Sequence, residues 1–175
     1  MSYDETFMRR AIEISAQALE TPGTEPFGAV VVRDGQIVGE GINRSRMTHD
    51  PTSHGETEAI RDACRRLGTV DLTGCDLYTS CEPCALCVAA MEIARISRLY
   101  YAADMAQAGA ILGPLPEEVR FPIDVDALTQ ACAHPVDDRR MPSAQTLDAE
   151  AADILDRWAT QAVTRHRGEV MPGQP

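Results

Sequence analysis

Thr52-Ser53-His54-Gly55-Glu56 and Ser80-Cys81-Glu82-Pro83-Cys84-Ala85-Leu86-Cys87 are the two segments from which the fold and the chemistry of this chain can be predicted. Together they supply one imidazole and two thiols that can bind a single zinc ion: His54, Cys84 and Cys87. Three protein ligands with a fourth position open to water are typical of catalytic zinc, whereas structural zinc usually has four protein ligands. Glu56 is not a ligand in this interpretation and is the candidate general base.

Both segments lie where the sequence predicts the start of a helix. One helix is expected over about residues 53–67, ending at Gly68, and a second over about residues 83–94, opened by Pro83. The positive end of a helix dipole lowers the pKa of a nearby cysteine and so favours the thiolates that zinc requires. Two thiolates and a neutral imidazole cancel the charge of the ion. A nearby carboxylate must therefore help to remove a proton from water, and we assign that task to Glu56.

Three other interpretations of the cysteines remain open at this point. A Cys-x-x-Cys pair is often redox-active, although such a pair needs no His-x-Glu partner. The spacing of Cys81, Cys84 and Cys87 resembles the start of an iron–sulfur run, but Pro83 falls inside it and the fourth cysteine is missing. A structural zinc site would use Cys81 as its fourth ligand. Catalytic zinc accounts for more of these residues than any of the three.

Elsewhere in the first 103 residues, the hydrophobic pattern predicts one more helix and four strands. The helix is expected over residues 4–19, and the strands over residues 27–33, 36–41, 75–80 and 99–103. Asp34-Gly35 between the first two strands is a strong hairpin signal. The order α, β, β, α, β, α, β favours an α/β sandwich with parallel crossovers after an initial hairpin.

After residue 109 the pattern is weaker. Five prolines between positions 114 and 142 break any long element. A last helix is expected over residues 147–165, packed through four apolar side chains: Ile154, Leu155, Trp158 and Val163. We therefore expect a single domain over residues 1–165 and a disordered tail over residues 166–175.

The composition of the 175 residues, 44% hydrophobic and 25% charged, is that of a globular protein. Its formal net charge of −11 repels phosphate backbones, which makes nucleic acid a poor candidate partner. No apolar run reaches the length of a membrane span, and the first residues lack the basic and apolar regions of a signal peptide. We expect a cytoplasmic protein, in which cysteines crowded together indicate metal binding or catalysis.

The same residues resemble a known family. His54-Gly55-Glu56 with Pro83-Cys84-Ala85-Leu86-Cys87 is similar to the signature of the zinc nucleobase deaminases. Pro26-Phe27-Gly28-Ala29-Val30, Gly41-Ile42-Asn43 and Asp50-Pro51-Thr52 extend the likeness to the bacterial guanine deaminase branch of the cytidine/deoxycytidylate deaminase-like superfamily. The resemblance implies an α/β fold, a three-layer α/β/α sandwich with a mixed five-stranded sheet. It also implies a homodimer, with or without exchange of C-terminal segments between subunits.

The resemblance further implies hydrolytic deamination of an amino-substituted base, with one zinc ion per chain as the cofactor. Glu56 takes a proton from water, passes it to a ring nitrogen and then protonates the departing ammonia. Substrate contacts are implied for the Asn43 side chain, for the backbone N–H groups of Gly55 and Cys81, and for Phe27 in the pocket wall. The simpler alternatives are a left-handed turn for Asn43 and a core position for Phe27.

Two departures from the branch concern the substrate. Gly55 stands where the family usually has alanine, which is expected to add room beside the site. The Gly-Phe-Asp-Asp segment whose acidic group contacts the base is replaced by Gly-Pro-Leu-Pro-Glu-Glu at residues 113–118, where Glu117 or Glu118 could substitute. Guanine, converted to xanthine, is the first candidate substrate. The alternatives are a tRNA adenosine deaminase, an aminohydrolase of cytosine or ammeline, and a zinc-stabilised scaffold without activity.

Overall fold

The computed structural model of the protein describes residues 2–120 and 123–169. The chain divides into two compact units, Met1–Ala133 and His134–Pro175. The single domain expected over residues 1–165 stays a prediction, and residues 170–175 of the expected tail lie outside the described residues. No described helix combines the length and the apolar character needed to cross a lipid bilayer.

The first unit alternates helices and strands in the predicted order. Its elements are α1 (Glu5–Ala16), β1 (Glu25–Arg33), β2 (Gln36–Asn43), α2 (Ser45–Thr48), α3 (Gly55–Leu67), β3 (Asp76–Cys81), α4 (Ala85–Ala94), β4 (Arg98–Ala103), α5 (Met105–Leu112) and α6 (Val125–Ala133). The short helices α2, α5 and α6 are additions to the prediction. Gly68 ends α3 in the left-handed conformation, as its position in the sequence predicted.

The four strands form one mixed sheet in the order β2-β1-β3-β4. Strand β1 is antiparallel to both β2 and β3, and β4 is parallel to β3. The predicted hairpin joins β1 to β2 through Asp34 and Gly35, whose φ angles of 51° and 75° are those that a tight two-residue turn requires. The parallel crossover places the loop that follows β3, and with it the second cysteine-rich segment, at one end of the sheet.

The prediction of five strands is wrong for the described residues, which form four. After β4 the chain enters α5 directly instead of forming another strand. Asp104 caps α5 by a reciprocal pair of hydrogen bonds: its side chain accepts from the Gln107 backbone N–H at 2.7 Å, and the Gln107 side chain accepts from the Asp104 backbone N–H at 2.9 Å. Pro114 and Pro116 then follow the helix, and proline disfavours a paired strand.

Helices cover both faces of this sheet, which confirms the three-layer arrangement within the first unit. Successive side chains of β1 point to opposite faces. Val30 and Val32 pack in a cluster with α1, whereas Ala29 and Val31 pack in a second cluster with α3 and α4. All four side chains are at most 1% exposed, so β1 lies at the centre of the core.

The first turn of α3 lies very close to β2 and β1. A Cβ atom at Gly41 would lie 2.2 Å from the Gly55 carbonyl oxygen, and one at Gly55 would lie 2.4 Å from the Phe27 carbonyl oxygen. Side-chain carbons do not approach backbone oxygens so closely in a packed interior, so only glycine fits at both places. This approach fixes the start of α3, with His54 and Glu56, against the end of the sheet.

The second unit contains a short 3-10 turn, Val136–Asp138, and helix α7, Asp148–Glu169. Helix α7 confirms the helix predicted over residues 147–165. The prediction that its apolar side chains anchor it is wrong within the described chain, where all four are exposed: Ile154 by 59%, Leu155 by 70%, Trp158 by 66% and Val163 by 51%.

Candidate active site

The two predicted helix starts carry the candidate metal ligands. His54 is the residue immediately before α3, and Cys84 is the residue immediately before α4. Both have extended backbone angles, and neither uses its side chain to cap its helix. Their side chains are therefore available for a ligand, near the positive ends of both helices. Cys87, in the first turn of α4, is fully buried.

The three ligand atoms are spaced as a zinc ion requires. The His54 Nδ1 atom lies 3.5 Å from the Sγ atoms of both Cys84 and Cys87, and the two Sγ atoms are 3.9 Å apart. Tetrahedral zinc, with bonds of about 2.3 Å to sulfur and about 2.1 Å to nitrogen, separates such atoms by about 3.6 and 3.8 Å. Among the described residues, these three form a possible zinc-binding site, and Cys81 is not part of the group.

The two thiols hold their protons unequally. The hydrogen bond between Cys84 and Cys87 lowers the pKa of Cys84 to about 4, with help from His54 and against the opposing effect of burial. The same hydrogen bond and burial raise the pKa of Cys87, and the bond to Cys84 raises the pKa of His54. Zinc binds both thiolates and a neutral imidazole, so metal binding releases protons from this cluster.

Glu56 is a buried carboxyl group beside the metal cluster. It is 5% exposed, lies in the first turn of α3 and accepts a hydrogen bond from the Cys87 Sγ atom at 3.3 Å. Burial raises its pKa. A carboxyl group whose pKa is raised toward neutrality can both accept and return a proton, which is the property that a general acid–base requires.

Glu58 holds in place the residues that precede His54. Its side chain is buried and accepts a hydrogen bond from the Ser53 Oγ atom at 3.1 Å. It also pairs with Arg44 and Arg61. Burial raises the pKa of Glu58, but the hydrogen bonds from Arg61, Arg44 and Ser53 together lower it below its ordinary value. Glu58 is therefore ionised and structural at neutral pH.

The metal cluster and Glu56 open into a cavity of about 250 Å³. A small cavity of this kind suits a ligand of the size of a nucleobase. One wall consists mainly of apolar side chains from α5, from the segment that follows it and from the start of α6: Met105, Ala108, Leu112, Leu115, Ile123 and Val125. The polar groups of the cavity lie mostly at the end of the sheet and at the two helix starts.

Asn43, the last residue of β2, lines this cavity and is 4% exposed. Its Oδ1 atom accepts hydrogen bonds from the Ser45 backbone N–H at 3.1 Å and from the Ser45 hydroxyl at 2.9 Å. Because the oxygen is engaged, the amide N–H groups are the part of this side chain that a ligand can use. The alternative of a left-handed turn is wrong, since Asn43 is not among the described residues with positive φ.

Phe27 also lines the cavity and is half-buried, so the pocket-wall interpretation fits better than the core alternative. Gly55 does not add room beside the site as expected, because the Phe27 carbonyl fills the space that an alanine side chain would occupy. Cys81, 7% exposed, lines the cavity without joining the metal cluster. Substrate contacts by the backbone N–H groups of Gly55 and Cys81 stay predictions.

Two further cavity residues escaped the sequence analysis. Glu82 joins the loop after β3 to α5, since its Oε2 atom accepts from the Met105 backbone N–H at 2.8 Å. Arg120 reaches the cavity from the segment between α5 and α6. Its partner, Glu25, lies 95 residues earlier in the sequence, and no local motif links the two. In the sequence, only the position of Glu82, two residues before Cys84, indicated that it lies near the site.

Glu117 and Glu118 are not among the cavity-lining residues, and both are exposed. The Glu118 backbone carbonyl instead accepts a hydrogen bond from the Arg46 Nη2 atom at 3.3 Å, and the Val119 carbonyl accepts from Arg46 Nη1. The expectation that either glutamate supplies an acidic group to the base is therefore not met.

A His-x-Glu pair and a Cys-x-x-Cys pair at two helix starts, on an α/β/α sandwich, define a class of zinc enzymes that use water to remove an amino group from a base. The model of one family, described as the cytidine and deoxycytidylate deaminase zinc-binding region, matches residues 1–103. The chain belongs to this family, which confirms the predicted zinc-dependent aminohydrolase class.

Relatives in the family act on different molecules. Guanine deaminase of Bacillus subtilis (strain 168) is 46% identical over 108 residues, which cover 60% of this chain and 69% of the relative. A tRNA-specific adenosine deaminase of Agrobacterium fabrum is 43% identical over 105 residues, which cover 60% and 68%. The X-ray structure of the Bacillus subtilis guanine deaminase superposes with a TM-score of 0.78 at 34% identity, covering 91% of this chain and 95% of that one.

Proposed function

We propose that the protein hydrolyses guanine to xanthine and ammonia. The observation that carries this proposal is the buried carboxyl group of Glu56 beside three zinc-spaced ligand atoms, at the end of a base-sized cavity. Guanine is favoured as the substrate because similarity to guanine deaminase extends over nearly the whole chain in three dimensions, beyond the family's zinc-binding region.

In this proposal His54, Cys84 and Cys87 hold the metal, and Glu56 moves the protons. Zinc, when bound, lowers the pKa of water enough for attack at neutral pH. Glu56 accepts one proton from the attacking water and delivers it to the ring nitrogen beside the reacting carbon. It then takes the second proton of that water from the hydroxyl group on this carbon and passes it to the amino group, which leaves as ammonia as the carbonyl forms. The apolar wall from α5 and α6 excludes bulk water while these transfers occur.

The proposed substrate contacts come from the sheet end of the cavity. Asn43 donates from its amide group to an acceptor of the base, because its Oδ1 atom is already bonded to Ser45. The Phe27 side chain contacts the base from the wall. The backbone N–H groups of Gly55 and Cys81 supply further donors. Two donors fixed by backbone geometry need no reordering when the substrate enters.

A tRNA adenosine deaminase is the second candidate, and the 43% identity to such an enzyme favours it. The net charge of −11 opposes it, since RNA binding needs a basic surface to neutralise phosphates. Cytosine and ammeline require the same chemistry and differ only in the fit of the cavity. A scaffold without activity is the weakest candidate because Cys81 lies outside the metal cluster.

We also propose a homodimer in which apolar surfaces of single chains are covered, with or without exchange of C-terminal segments. Ile93 on α4 is 82% exposed, and Trp158 on α7 is 66% exposed. Large apolar side chains on helix surfaces are typical of protein interfaces. A cytoplasmic location and a single functional domain over residues 1–165 complete the proposal.

An ammonia-release screen tests the substrate. The zinc-loaded protein is assayed with guanine, guanosine, adenine, cytosine, ammeline and pterins, and with a tRNA anticodon stem-loop that carries adenosine at the wobble position. We expect guanine to give the highest kcat/KM. Turnover of the stem-loop above that of guanine would instead establish the RNA-directed function, and turnover of none would refute the proposal.

A further inference from the structure

Arg120 has a geometry that the proposed mechanism does not use. Its side chain is 22% exposed, and it lines the cavity that contains His54 and Glu56. We infer that Arg120 determines specificity by donating from its two terminal nitrogens to the O6 and N7 atoms of a 6-oxopurine. This inference rests on the proposed function and names the part of the substrate that the cavity recognises.

The guanidinium group is held in a fixed orientation. Its Nε atom donates to the Glu25 Oε2 atom at 3.1 Å, and its central carbon lies 5.5 Å from the centre of the Phe27 ring. An ion pair on one edge and an aromatic ring on one face leave the guanidinium plane little freedom. Glu25 is itself largely buried, with 14% of its side chain exposed.

The remaining donors of Arg120 are available to a ligand. In the part of the chain that the structure describes, the hydrogen bond of this guanidinium uses Nε, which leaves Nη1 and Nη2 for the cavity. Burial raises the pKa of Cys81, and the charge of Arg120 partly opposes this effect. The positive charge of Arg120 therefore acts within the part of the cavity that Cys81 lines.

The chemistry of these donors selects one edge of a purine. Two parallel N–H groups match two neighbouring acceptors, and guanine offers such a pair in O6 and N7. Adenine and 2,6-diaminopurine carry an amino donor at position 6, which would leave a guanidinium N–H facing another donor. The O6/N7 edge of guanine also lies across the ring system from C2, so this contact directs the C2 amino group away from Arg120.

A structural clamp is the competing role, because the ion pair to Glu25 also ties residue 120 to β1. Arg46 offers a matched control. It holds the same segment through the carbonyl oxygens of Glu118 and Val119, and it does not line the cavity. Loss of Arg46 loosens the segment without removing a donor from the ligand. Loss of a clamp would weaken all purines alike, whereas loss of a specificity residue changes their ratio.

The test measures binding without turnover. Full-length, zinc-loaded protein carrying Glu56→Gln is compared with the same protein carrying a second change: Arg120→Gln, Arg120→Lys or Arg46→Gln. Equilibrium dialysis gives the dissociation constants of guanine and 2,6-diaminopurine. We expect Arg120→Gln to lower the preference for guanine by about 5-fold to about 150-fold, and Arg120→Lys, which keeps the charge but loses the fork, to give a smaller reduction.

Arg46→Gln is expected to leave the ratio of the two dissociation constants unchanged. An equal loss of both ligands in the Arg120 variants, no change in either, or no binding of guanine by the Glu56→Gln protein would each overturn the inference. Failure of the proposed function would give a different result. The protein with Glu56 intact would bind guanine but would release no ammonia from it.

Discussion

Two regions contribute differently to this enzyme. One is the four-stranded sheet with the helices between its strands, and the other is the segment that follows β4. The metal ligands and Glu56 lie between residues 54 and 87, at the starts of α3 and α4, where a packed sheet fixes them. The apolar wall of the cavity and Arg120 lie between residues 105 and 125. In our proposal the proton chemistry belongs to the sandwich, which also supplies the substrate contacts of Asn43 and Phe27, and the later segment adds the apolar wall and Arg120. Variants of Glu56 or of the close α3–β1 contact should change turnover or stability, and variants of the later segment should change substrate binding.

The largest expected effect is on turnover. Glu56→Gln keeps the shape of the side chain but removes the proton acceptor, so kcat for guanine should fall by about 100-fold to about 10,000-fold. Zinc content should stay at about one ion per chain, because Glu56 is not in the ligand group. Metal analysis and steady-state ammonia release measure both. A variant within threefold of the parent protein would show that Glu56 is not the base.

The close approach of α3 to β1 predicts a stability effect in the same region. Gly55→Ala places a methyl group against the Phe27 carbonyl, which should lower the free energy of unfolding by about 1–3 kcal/mol. Gly109→Ala is the matched comparison. It lies within α5, and among the described residues no atom outside the backbone of its own helix lies within 4 Å of a Cβ added there. Alanine should therefore leave stability unchanged or raise it by up to about 1 kcal/mol. Urea unfolding of both zinc-loaded variants decides whether the two glycines differ in this way.

Substitutions in the apolar wall of the cavity should weaken substrate binding and leave kcat almost unchanged. Leu112→Ala removes apolar surface from the cavity, and kcat/KM for guanine should fall about tenfold, mainly through KM. Ile111→Ala is a neighbouring change on α5 at a side chain that is 72% exposed and outside the cavity lining, and it should leave kcat/KM unchanged. Equal effects of the two substitutions would show that α5 does not form the substrate wall.

The smallest predicted effect concerns Glu58. Its pKa is lowered on folding, so its stabilising contribution is present above the unfolded-state pKa of about 4.3 and is lost as the pH falls through the folded-state value. Glu58→Gln should therefore lower stability by about 1–2 kcal/mol at pH 7, with a difference that shrinks below about pH 4. Glu13→Gln, at a side chain that is 65% exposed, is the control and should have almost no effect. Thermal melts across this pH range measure the difference, and a Glu58→Gln effect independent of pH would show that the ionised carboxylate does not stabilise the fold.

The two regions also differ in how well the sequence predicted them. Turn and cap signals are local, so Asp34-Gly35 correctly marked the hairpin and Gly68 the end of α3. Pro83 was expected to open α4 but lies two residues before its first residue, Ala85. Two of the three candidate zinc ligands were also predicted from a local pattern, because Cys84 and Cys87 are three residues apart. Asn43 was placed in the cavity by resemblance to the family, and the structure lines the cavity with it.

Long-range contacts explain what the sequence did not predict. Arg120 meets Glu25 and Phe27 across about half of the chain, and no periodic pattern records such a contact. The fifth strand was expected from resemblance alone, whereas the capping box of Asp104 and Gln107 directs the chain into α5. The apolar side chains of α7 were predicted to anchor the helix, but they are exposed. Hydrophobic periodicity predicts which face of a helix is apolar, and it does not predict what covers that face.

We propose that three side chains, His54, Cys84 and Cys87, bind zinc and leave one position for water beside Glu56. X-ray absorption at the zinc edge of the full-length, zinc-loaded protein counts the ligand types directly. We expect two sulfur ligands, one imidazole nitrogen and one light atom from water, in both the parent protein and Cys81→Ser. Three sulfur ligands in the parent protein, reduced to two by Cys81→Ser, would mean a closed structural site and would contradict this proposal.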